Sequence, residues 1–454
     1  MKLTVSLIIE ARWLCPIIPN NTLLEYQAVV IQYGKIIDIC AITQASKLYE
    51  AKETVQLDEH ILIPGFINLH VHAAMNLMRG LADDLPLMPW LEGHIWPAER
   101  NLLSPSFVHD GTLLACAEML SGGITTFNDM YFYPESTAMA CIKAGMRANL
   151  GLVVLEFPTN YANDAEDYIN KGTAAKDRLR DEPLISFSFA PHAPYTVSDA
   201  TFSQINTLSA QLDIGIHTHL HETQAEIIQS EQVHGMRPLA RLANLGLLNS
   251  SLTLAHCVHL NQAEIKLLAA HGCSIAHCPS SNLKLASGIA PITEYFKNGI
   301  NIGLGTDGAA SNNRLDMFTE MRLAALLAKG QSGNAAAISA HQALEMATIN
   351  GARALEMDDK IGSIEIGKLA DLTAVRMNDL TMQPCFDPIS HLVYVAAREQ
   401  VSHVWVSGDL KYHKPNGNTN VNANGNEGFF SNIEPQQLRD ILNKWQNKLS
   451  EFKA

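Results

Sequence analysis

The chain has 454 residues, a length that allows either two or three small domains or one large barrel with an additional unit. Apolar residues make up 47% of the sequence and charged residues 17%, a composition that excludes intrinsic disorder. Acidic residues outnumber basic residues by 46 to 32, and the net charge of −14 argues against a general binder of nucleic acid or anionic membranes.

The first residues of the chain predict a small β unit. An apolar run at 3–9 soon meets charged residues, which favours a first strand over a signal peptide. A Tyr-Gly-Lys sequence predicts a hairpin turn inside 28–39. Similar sequence returns at 364–372 and 403–408, so we expect the two ends of the chain to build one small β-sandwich domain.

The middle of the chain alternates short β-rich runs with longer helical patterns, which is typical of βα units around a parallel sheet. Helices are expected in segments such as 105–121, 198–212 and 314–329. Eight strands are predicted, at 66–72, 124–129, 148–154, 184–191, 215–221, 252–256, 274–278 and 301–306. We therefore predict an α/β fold with a (β/α)8 TIM barrel, which places catalytic groups at the carboxyl ends of its strands. The alternative, a doubly wound open sheet, lacks a Gly-x-Gly-x-x-Gly sequence after the first strand.

These elements predict a domain organisation. The β-sandwich takes 1–60 and 361–415, the barrel takes 61–360, and 416–454 contains a loop followed by a helix at 434–452. No run approaches the roughly 20 apolar residues of a membrane helix, so we expect a cytoplasmic protein with no membrane partner. Eight scattered cysteines without a Cys-x-x-Cys pair predict buried free thiols.

Several of the 18 histidines fall at predicted strand ends. His70 and His72 end the first barrel strand, and because side chains alternate along a strand, both imidazoles project to the same side. A His-x-His pair alone is equally compatible with a structural role. Its position at the carboxyl end of a barrel strand favours a place in the active site.

A second histidine cluster ends the fifth strand. His217, His219 and His221 again follow a period of two, which would crowd all three on one face. Either one of them is a ligand while its neighbours lie deeper or on the rim, or all three are hydrogen-bonded core residues. His256 ends the sixth strand and Asp307 follows the eighth. Four strand ends that each supply an imidazole or a carboxylate favour a site, because burying ionisable groups without partners is costly.

Three imidazoles and one carboxylate suit a catalytic Zn²⁺, which lowers the pKa of a bound water to near 7. Fe²⁺ fits the same donors. With Asp307 as the acceptor of the water's proton and Glu222 as a proton shuttle, the arrangement predicts hydrolytic attack on an electrophilic carbon.

Nine parts of the chain form a pattern known from other proteins. They are 64–72, His219 with Glu222, His256, 306–307, 75–87, 90–99, 190–195, 278–285 and 362–368. The first four resemble the amidohydrolase superfamily, in its branch of deaminases that act on aminated heterocycles. With the other five, the chain resembles the 5′-methylthioadenosine/S-adenosylhomocysteine deaminases over nearly its whole length.

The resemblance implies a reaction and a metal centre. The reaction is the hydrolytic conversion of the 6-amino group of an adenosine derivative, giving the inosine analogue and ammonia. One Zn²⁺ per subunit, or Fe²⁺ in its place, would be bound by His70, His72, His219 and Asp307. Glu222 would protonate N1 of the purine, His256 would orient the attacking hydroxide, and Asp307 would share the proton transfers. Binuclear relatives use a lysine in the fourth strand, which 184–192 lacks, so one metal ion is expected.

The resemblance also implies that Glu99 and His192 bind the substrate, with Glu222 and Asp307 contacting its ring. A carboxylate at Glu99 suits a small-molecule nucleoside, since it can accept hydrogen bonds from two ribose hydroxyls. Without the resemblance, Glu99 would be an ordinary residue of a first helical turn. His217 and His221 are expected to support the site or to pack near it.

Three alternatives stay open. A related enzyme of the same branch would deaminate or dechlorinate guanine, a pterin or a triazine, and only 90–99 argues against this. A non-catalytic metal-binding relative would have lost a ligand or the proton shuttle, and all of these are present. Hydrolysis of a cyclic amide would need the missing lysine.

The choice between the two nucleosides depends on a substrate carboxylate, which would require an arginine near the ribose. Arg147 lies in strand-like apolar sequence and 155–165 contains no arginine, so we expect a slight preference for the methylthio compound. The low charge fraction of so large a chain is compatible with a homodimer.

Overall fold

Two eight-stranded sheets organise the residues that the computed structural model describes, 2–415 and 428–453. The strands of the N-terminal segment are β1 Leu3–Leu14, β2 Leu24–Gln32, β3 Lys35–Ala41 and β4 Tyr49–Pro64. The barrel strands are β5 Phe66–Val71, β6 Ile124–Tyr131, β7 Arg147–Val154, β8 Ile185–Pro191, β9 Ile216–Leu220, β10 Leu252–His256, β11 Ser274–His277 and β12 Asn301–Leu304. The strands near the C-terminus are β13 Leu372–Arg376, β14 Val401–Val406, β15 Asp409–His413 and β16 Phe429–Phe430.

The barrel strands pair in parallel and in chain order from β5 to β12. Each of them lies close to the bounds predicted from the sequence, and the predicted fold class is confirmed. Every residue of β5, β6 and β7 is buried, as expected for parallel strands that are covered on both faces. The first and last strands meet where the backbone N–H of Asp307 donates to the carbonyl oxygen of His70 at 2.9 Å.

Eighteen α-helices cover and connect the strands in the described residues. They are α1 Ile42–Leu48, α2 Leu87–Trp90, α3 Trp96–Leu102, α4 Pro105–Ser121, α5 Pro134–Ala144, α6 Ala165–Arg178, α7 Asp199–Leu212, α8 Gln224–His234, α9 Pro238–Asn244, α10 Gln262–His271, α11 Pro279–Lys284, α12 Ile292–Lys297, α13 Ala309–Asn312, α14 Met317–Ser332, α15 Ala340–Met346, α16 Ile349–Ala354, α17 Pro388–Tyr394 and α18 Pro435–Leu449. None of the helices in this part of the chain is long and apolar enough to cross a membrane.

Local sequence accounts for the ends of the predicted helices. Ser104 caps α4 by accepting from a backbone N–H, and Pro105 supplies the favoured first residue. Ser198 caps α7 in the same way. The expected helix at 314–329 begins later and ends later, because Asp316 caps α14 and Gly333 ends it in a left-handed conformation.

The second sheet combines both ends of the chain, as predicted. Its strand order is β16-β15-β14-β13-β4-β1-β2-β3. The sheet curls back on itself, since Ile36 in β3 exchanges backbone hydrogen bonds with Gly367 and Lys368. Within 364–372, Leu372 begins β13 and Leu369 bridges to Lys35 at the start of β3, while 364–368 form turns and irregular backbone.

The predicted last helix is present as α18, and it packs against α4 on the outside of the barrel. Trp445 of α18 is buried, contacts Phe107 with ring centroids 5.2 Å apart, and donates its indole N–H to Asp110 at 2.9 Å. The loop expected at 416–428 lies outside the described residues except for Gly428. All eight cysteines are free and seven are buried, so the expectation of buried thiols holds for all but Cys385. The domain boundaries stay predictions.

Candidate active site

The first two predicted ligands lie at the carboxyl end of β5. His70 is fully buried, His72 is partly buried, and their ring centroids are 4.9 Å apart. Nδ1 of His72 donates a hydrogen bond to the carbonyl oxygen of Met130 at 2.6 Å. Because Nδ1 donates in this bond, Nε2 is the nitrogen of His72 that can give up its proton and act as a metal ligand.

Asp307 lies against both rings. Its Oδ1 is 3.4 Å from Nε2 of His70 and 3.2 Å from Nε2 of His72. Oδ2 accepts hydrogen bonds from the hydroxyls of Ser281 at 2.6 Å and Ser311 at 2.7 Å. Burial raises the pKa of Asp307, but the imidazoles of His70 and His72 beside its carboxylate outweigh burial and hold that pKa well below its usual range. One carboxylate oxygen therefore faces the imidazoles while the other is held by two serines.

His219 brings a third imidazole from β9. Its ring centroid is 4.8 Å from that of His70, and its Nδ1 donates to the backbone carbonyl of His192 at 2.7 Å. Burial lowers the pKa of His219 well below its usual range, so the ring is neutral and its Nε2 can act as a ligand.

These groups fit a divalent metal ion. One ring nitrogen from each of His70, His72 and His219 lies within 4.8 Å of the other two, and the same limit holds for His70, His256 and Asp307. Nε2 of His70 is buried without a hydrogen-bond partner, which is costly unless a ligand satisfies it. Imidazole nitrogens with one carboxylate oxygen are the donors that zinc and iron(II) take.

Glu222 and His256 face each other across the same space. Nε2 of His256 is 3.8 Å from Oε2 of Glu222. Nδ1 of His256 donates to the side-chain oxygen of Asn282 at 2.8 Å, which leaves Nε2 towards the carboxyl group. Burial raises the pKa of Glu222 and so stabilises its protonated form. A carboxyl group in this state can deliver a proton to a bound base.

A further glutamate, which the sequence analysis missed, holds the loop that carries Glu222. The carboxylate of Glu226 accepts backbone N–H bonds from His221 at 3.0 Å and from Glu222 at 2.9 Å. Thr223 caps α8, and Thr223 with Glu226 has the spacing of a capping box. That spacing is the signal that could have revealed the residue.

Glu99 and His192 lie on the walls of the site, where the resemblance expects substrate. The hydroxyl of Tyr131 donates to Oε1 of Glu99 at 2.7 Å, and burial raises the pKa of Glu99 to about 7. His192 follows β8, and its Nδ1 lies 3.0 Å from the hydroxyl of Thr196. Tyr131 was not predicted, since no motif in the sequence marks it.

The residues line a cavity that opens to solvent and contains about 750 Å³ of empty space. All of the predicted site residues except His70 line it, namely His72, Glu99, His192, His219, Glu222, His256 and Asp307. Apolar side chains form much of the remaining wall, including Met75, Leu87, Trp90, Leu91, Trp96, Phe132, Val153, Leu155 and Phe157. An apolar cavity with a few convergent polar groups suits an aromatic heterocycle.

The other two histidines of the β9 cluster do not line this cavity. Nε2 of His217 lies 3.0 Å from Nδ1 of His70 inside the barrel. Nε2 of His221 accepts from the backbone N–H of Leu239 at 3.2 Å. The structure therefore agrees with the first alternative for this cluster: His219 lies at the site, and His217 and His221 lie outside the cavity.

Comparison with known proteins agrees with this geometry. A model of the amidohydrolase family matches residues 61–411. A protein of Teredinibacter turnerae named 5-methylthioadenosine/S-adenosylhomocysteine deaminase is 47% identical over 409 residues, which cover 89% of this chain and 92% of that protein.

Solved structures extend the comparison. An adenosine deaminase from Xanthomonas campestris, crystallised with bound zinc, is 42% identical and has a TM-score of 0.95, covering 99% of this chain and 100% of that one. An atrazine chlorohydrolase from Arthrobacter aurescens, complexed with zinc, shares the fold at 23% identity and a TM-score of 0.87, with 97% and 99% of the two chains covered. The chain therefore belongs to the amidohydrolase family, and the expectation of a metal-dependent hydrolase is confirmed.

Proposed function

We propose that this chain is a hydrolytic deaminase of adenosine derivatives. It converts the 6-amino group of 5′-methylthioadenosine, S-adenosylhomocysteine or both to the inosine analogue and releases ammonia. The observation that carries the proposal is the convergence of Glu99, Glu222 and the His-Asp cluster on one largely apolar cavity. The name of the relative that is 47% identical supports the same reaction.

The metal-binding residues of this proposal are His70, His72, His219 and Asp307. A metal ion held there makes water nucleophilic at neutral pH. The zinc in the 42% identical structure supports zinc as the native ion, and Fe²⁺ fits the same donors.

The acidic residues move the protons of the reaction. Glu222, with its raised pKa, delivers a proton to N1 of the purine, and Asp307 accepts the proton that water loses as it adds at C6. His256 orients the water through the Nε2 that faces Glu222. The amino group leaves as ammonia with a proton returned by these carboxyl groups, so the net reaction consumes one water.

Glu99 and His192 hold the nucleoside. Tyr131 donates to one oxygen of Glu99, which leaves the other oxygen and a further lone pair for the ribose hydroxyls. The apolar walls beside Trp90 and Trp96 suit the flat face of the purine. The binding partner proposed for this chain is thus a small molecule. The cytoplasmic location and the homodimer stay predictions from the sequence.

An adjoining cavity corrects the argument for a preference between the two nucleosides. It has a volume of about 1120 Å³, shares Glu99 and Phe157 with the first cavity, and is lined by Arg100. Within the described residues, the guanidinium of Arg100 forms no ion pair or side-chain hydrogen bond. Since this arginine can meet a substrate carboxylate, the lack of arginine in 155–165 does not favour the methylthio compound.

A steady-state panel tests the function. Zinc-loaded protein is assayed for ammonia release from 5′-methylthioadenosine, S-adenosylhomocysteine, adenosine and guanine. We expect turnover of at least one of the two thioether nucleosides and none of guanine. Absence of turnover with every adenosine derivative would contradict the proposal.

Arg100 provides a test of substrate choice. An Arg100→Gln protein should lose about 10-fold or more in kcat/KM for S-adenosylhomocysteine, because a charged hydrogen bond is worth about 1.5–3 kcal/mol. The values for the methylthio compound should not change. Arg322→Gln, an exposed change on α14 that lies outside both cavities, is the matched control.

A further inference from the structure

We propose that His217 is a positioning residue for the metal ligand His70, at the upper end of a polar column that runs through the barrel interior. The column consists of His217, Asn128, Asn149, Ser186 and Ser188. The proposal rests on the metal centre of the proposed function, and its test measures metal binding rather than turnover.

The upper part of the column joins two imidazoles directly. Nδ1 of His70 and Nε2 of His217 share a hydrogen bond of 3.0 Å, and the two rings meet edge to face with an interplanar angle of 86°. The other ring nitrogen of His217, Nδ1, lies 3.1 Å from the amide nitrogen of Asn128. For His70 to present the Nε2 lone pair to a metal ion, its Nδ1 must carry the proton and donate to Nε2 of His217, so this is the bond that orients the ligand.

The lower part of the column fixes Asn128. Its amide N–H donates to the carbonyl oxygen of Leu69 at 3.0 Å, and its oxygen accepts from Asn149 at 2.8 Å. Asn149 donates to the hydroxyl of Ser188 at 2.9 Å and accepts from Ser186 at 3.0 Å. Each link is thus held by neighbours on β6, β7 and β8.

The column ends at a cavity on the opposite face of the barrel from the active site. This cavity has a volume of about 1270 Å³ and lies at the amino ends of β8, β9 and β10, where Asn149, Ser188 and His217 line it. β8 and β9 share only one paired position in the described sheet, Phe189 with Ile216. The barrel wall is therefore open enough at this point for polar side chains to occupy its interior.

A packing role does not account for these residues. Branched apolar side chains usually fill the interior of a (β/α)8 barrel, and buried polar groups are costly without partners. His217 and Asn128 are each 1% exposed, yet every polar atom of the two side chains has a partner. The specific gain from this arrangement is the orientation of His70, whose Nε2 faces Asp307 at 3.4 Å.

Loss of such a supporting partner typically weakens metal binding by about 10–100-fold. In variants of His217, zinc affinity should depend on whether the bond to His70 is kept, and not on the volume of the new side chain. Three variants separate these explanations. His217→Phe removes both bonds, His217→Asn places an amide near the former Nδ1 and keeps only the contact with Asn128, and His217→Gln places an amide near the former Nε2 and keeps only the contact with His70.

The experiment measures the zinc dissociation constant of each purified apoprotein by competition with a chromophoric chelator, with the visible absorption of the Co²⁺-loaded protein as a second readout. We expect zinc affinity to fall about 10–100-fold in the Phe and Asn variants and by less than about 3-fold in the Gln variant. The Co²⁺ spectrum should change in the first two and resemble wild type in the third.

His60→Phe is the matched control. His60 is also a buried histidine, but it lies in β4 of the second sheet and neither of its ring nitrogens has a partner. Its replacement should leave zinc affinity unchanged. If His217→Phe does not fold, Asn149→Leu tests the same column from its far end, with an expected loss of about 3–10-fold.

Two results would overturn the proposal. In the first, zinc affinity in the series follows side-chain volume, with Phe binding most tightly. In the second, all variants bind zinc within about 2-fold of wild type. Failure of the proposed function is a separate outcome: wild-type protein that binds zinc but deaminates no nucleoside contradicts only that function, whereas wild-type protein that takes up no zinc contradicts both.

Discussion

Tyr131 and Glu99 show how one hydrogen bond can set the pH range of substrate binding. Burial raises the pKa of Glu99 to about 7, and the bond from Tyr131 limits the rise. The carboxylate accepts ribose hydroxyls fully only when ionised, which requires a pH above that pKa. Substrate binding should therefore weaken as the pH falls through about 7.

Tyr131→Phe tests this sign. Removal of the hydrogen bond raises the pKa of Glu99 further, so the rise in KM should begin at a higher pH than in wild type. The measurement is KM for 5′-methylthioadenosine from about pH 5.5 to 8.5, a range that includes the raised pKa of Glu99. If KM depends on pH in the same way in Tyr131→Phe and in wild type, Glu99 does not control substrate binding.

Glu222→Gln tests the proton transfer. The amide keeps the size and polarity of the side chain but cannot donate an acidic proton, so kcat should fall by about 10²–10⁴-fold. Zinc content should equal that of wild type, since Glu222 is not one of the proposed ligands. Full activity in this variant would rule out the proposed mechanism.

The barrel closes where β12 lies against β5, and Gly305 makes this close contact possible. A side chain at Gly305 would place its Cβ 2.8–3.0 Å from the Cβ, N and O of His70. The two strands can approach this closely only because position 305 has no side chain. The same approach brings Asp307 to the two histidines of β5.

Gly305→Ala should therefore separate the last strand from the first. We expect a loss of about 1–3 kcal/mol in the free energy of unfolding, together with weaker zinc binding as Asp307 moves away from His70. Urea denaturation and chelator competition measure the two effects. Gly330→Ala, in the exposed last turn of α14, where an added Cβ meets no atom beyond the helix's own backbone within 4 Å, is the control and should be neutral or slightly stabilising.

At the scale of the whole molecule, one buried ion pair joins the barrel to the second sheet. Arg147 begins β7 and donates to both oxygens of Asp371, at 2.9 and 3.3 Å. The same guanidinium donates to the hydroxyl of Ser407, and the backbone N–H of Gly65 donates to the carbonyl of Asp371 at 2.9 Å. Arg147 is buried, and its role is structural.

Breaking this pair on one side should destabilise the fold. Arg147→Met leaves the Asp371 carboxylate buried without its cation, which costs about 3–5 kcal/mol in the free energy of unfolding. The double variant Arg147→Met with Asp371→Leu should recover much of this loss, since it leaves no uncompensated charge. Urea unfolding of the two proteins decides the point; equal losses in both would indicate that packing, not charge, dominates.

Local patterns in the chain were enough to predict the eight barrel strands and the residues at their ends, because the period of apolar residues and the alternation of side chains are local properties. The His-x-His motif of His70 and His72 could be placed at the end of the first barrel strand from the sequence alone. The spacing of Thr223 and Glu226 is also a local pattern, that of a capping box at the start of a helix.

The polar groups that meet across the barrel could be identified only from the folded chain. Ser281 reaches Asp307, Tyr131 reaches Glu99, and His217 reaches His70 from elements that are distant in sequence. Such pairs leave no periodic trace in a single sequence, because their spacing depends on strand register and on the closure of the barrel. The division of the β9 histidines between the site and its support follows from the same closure.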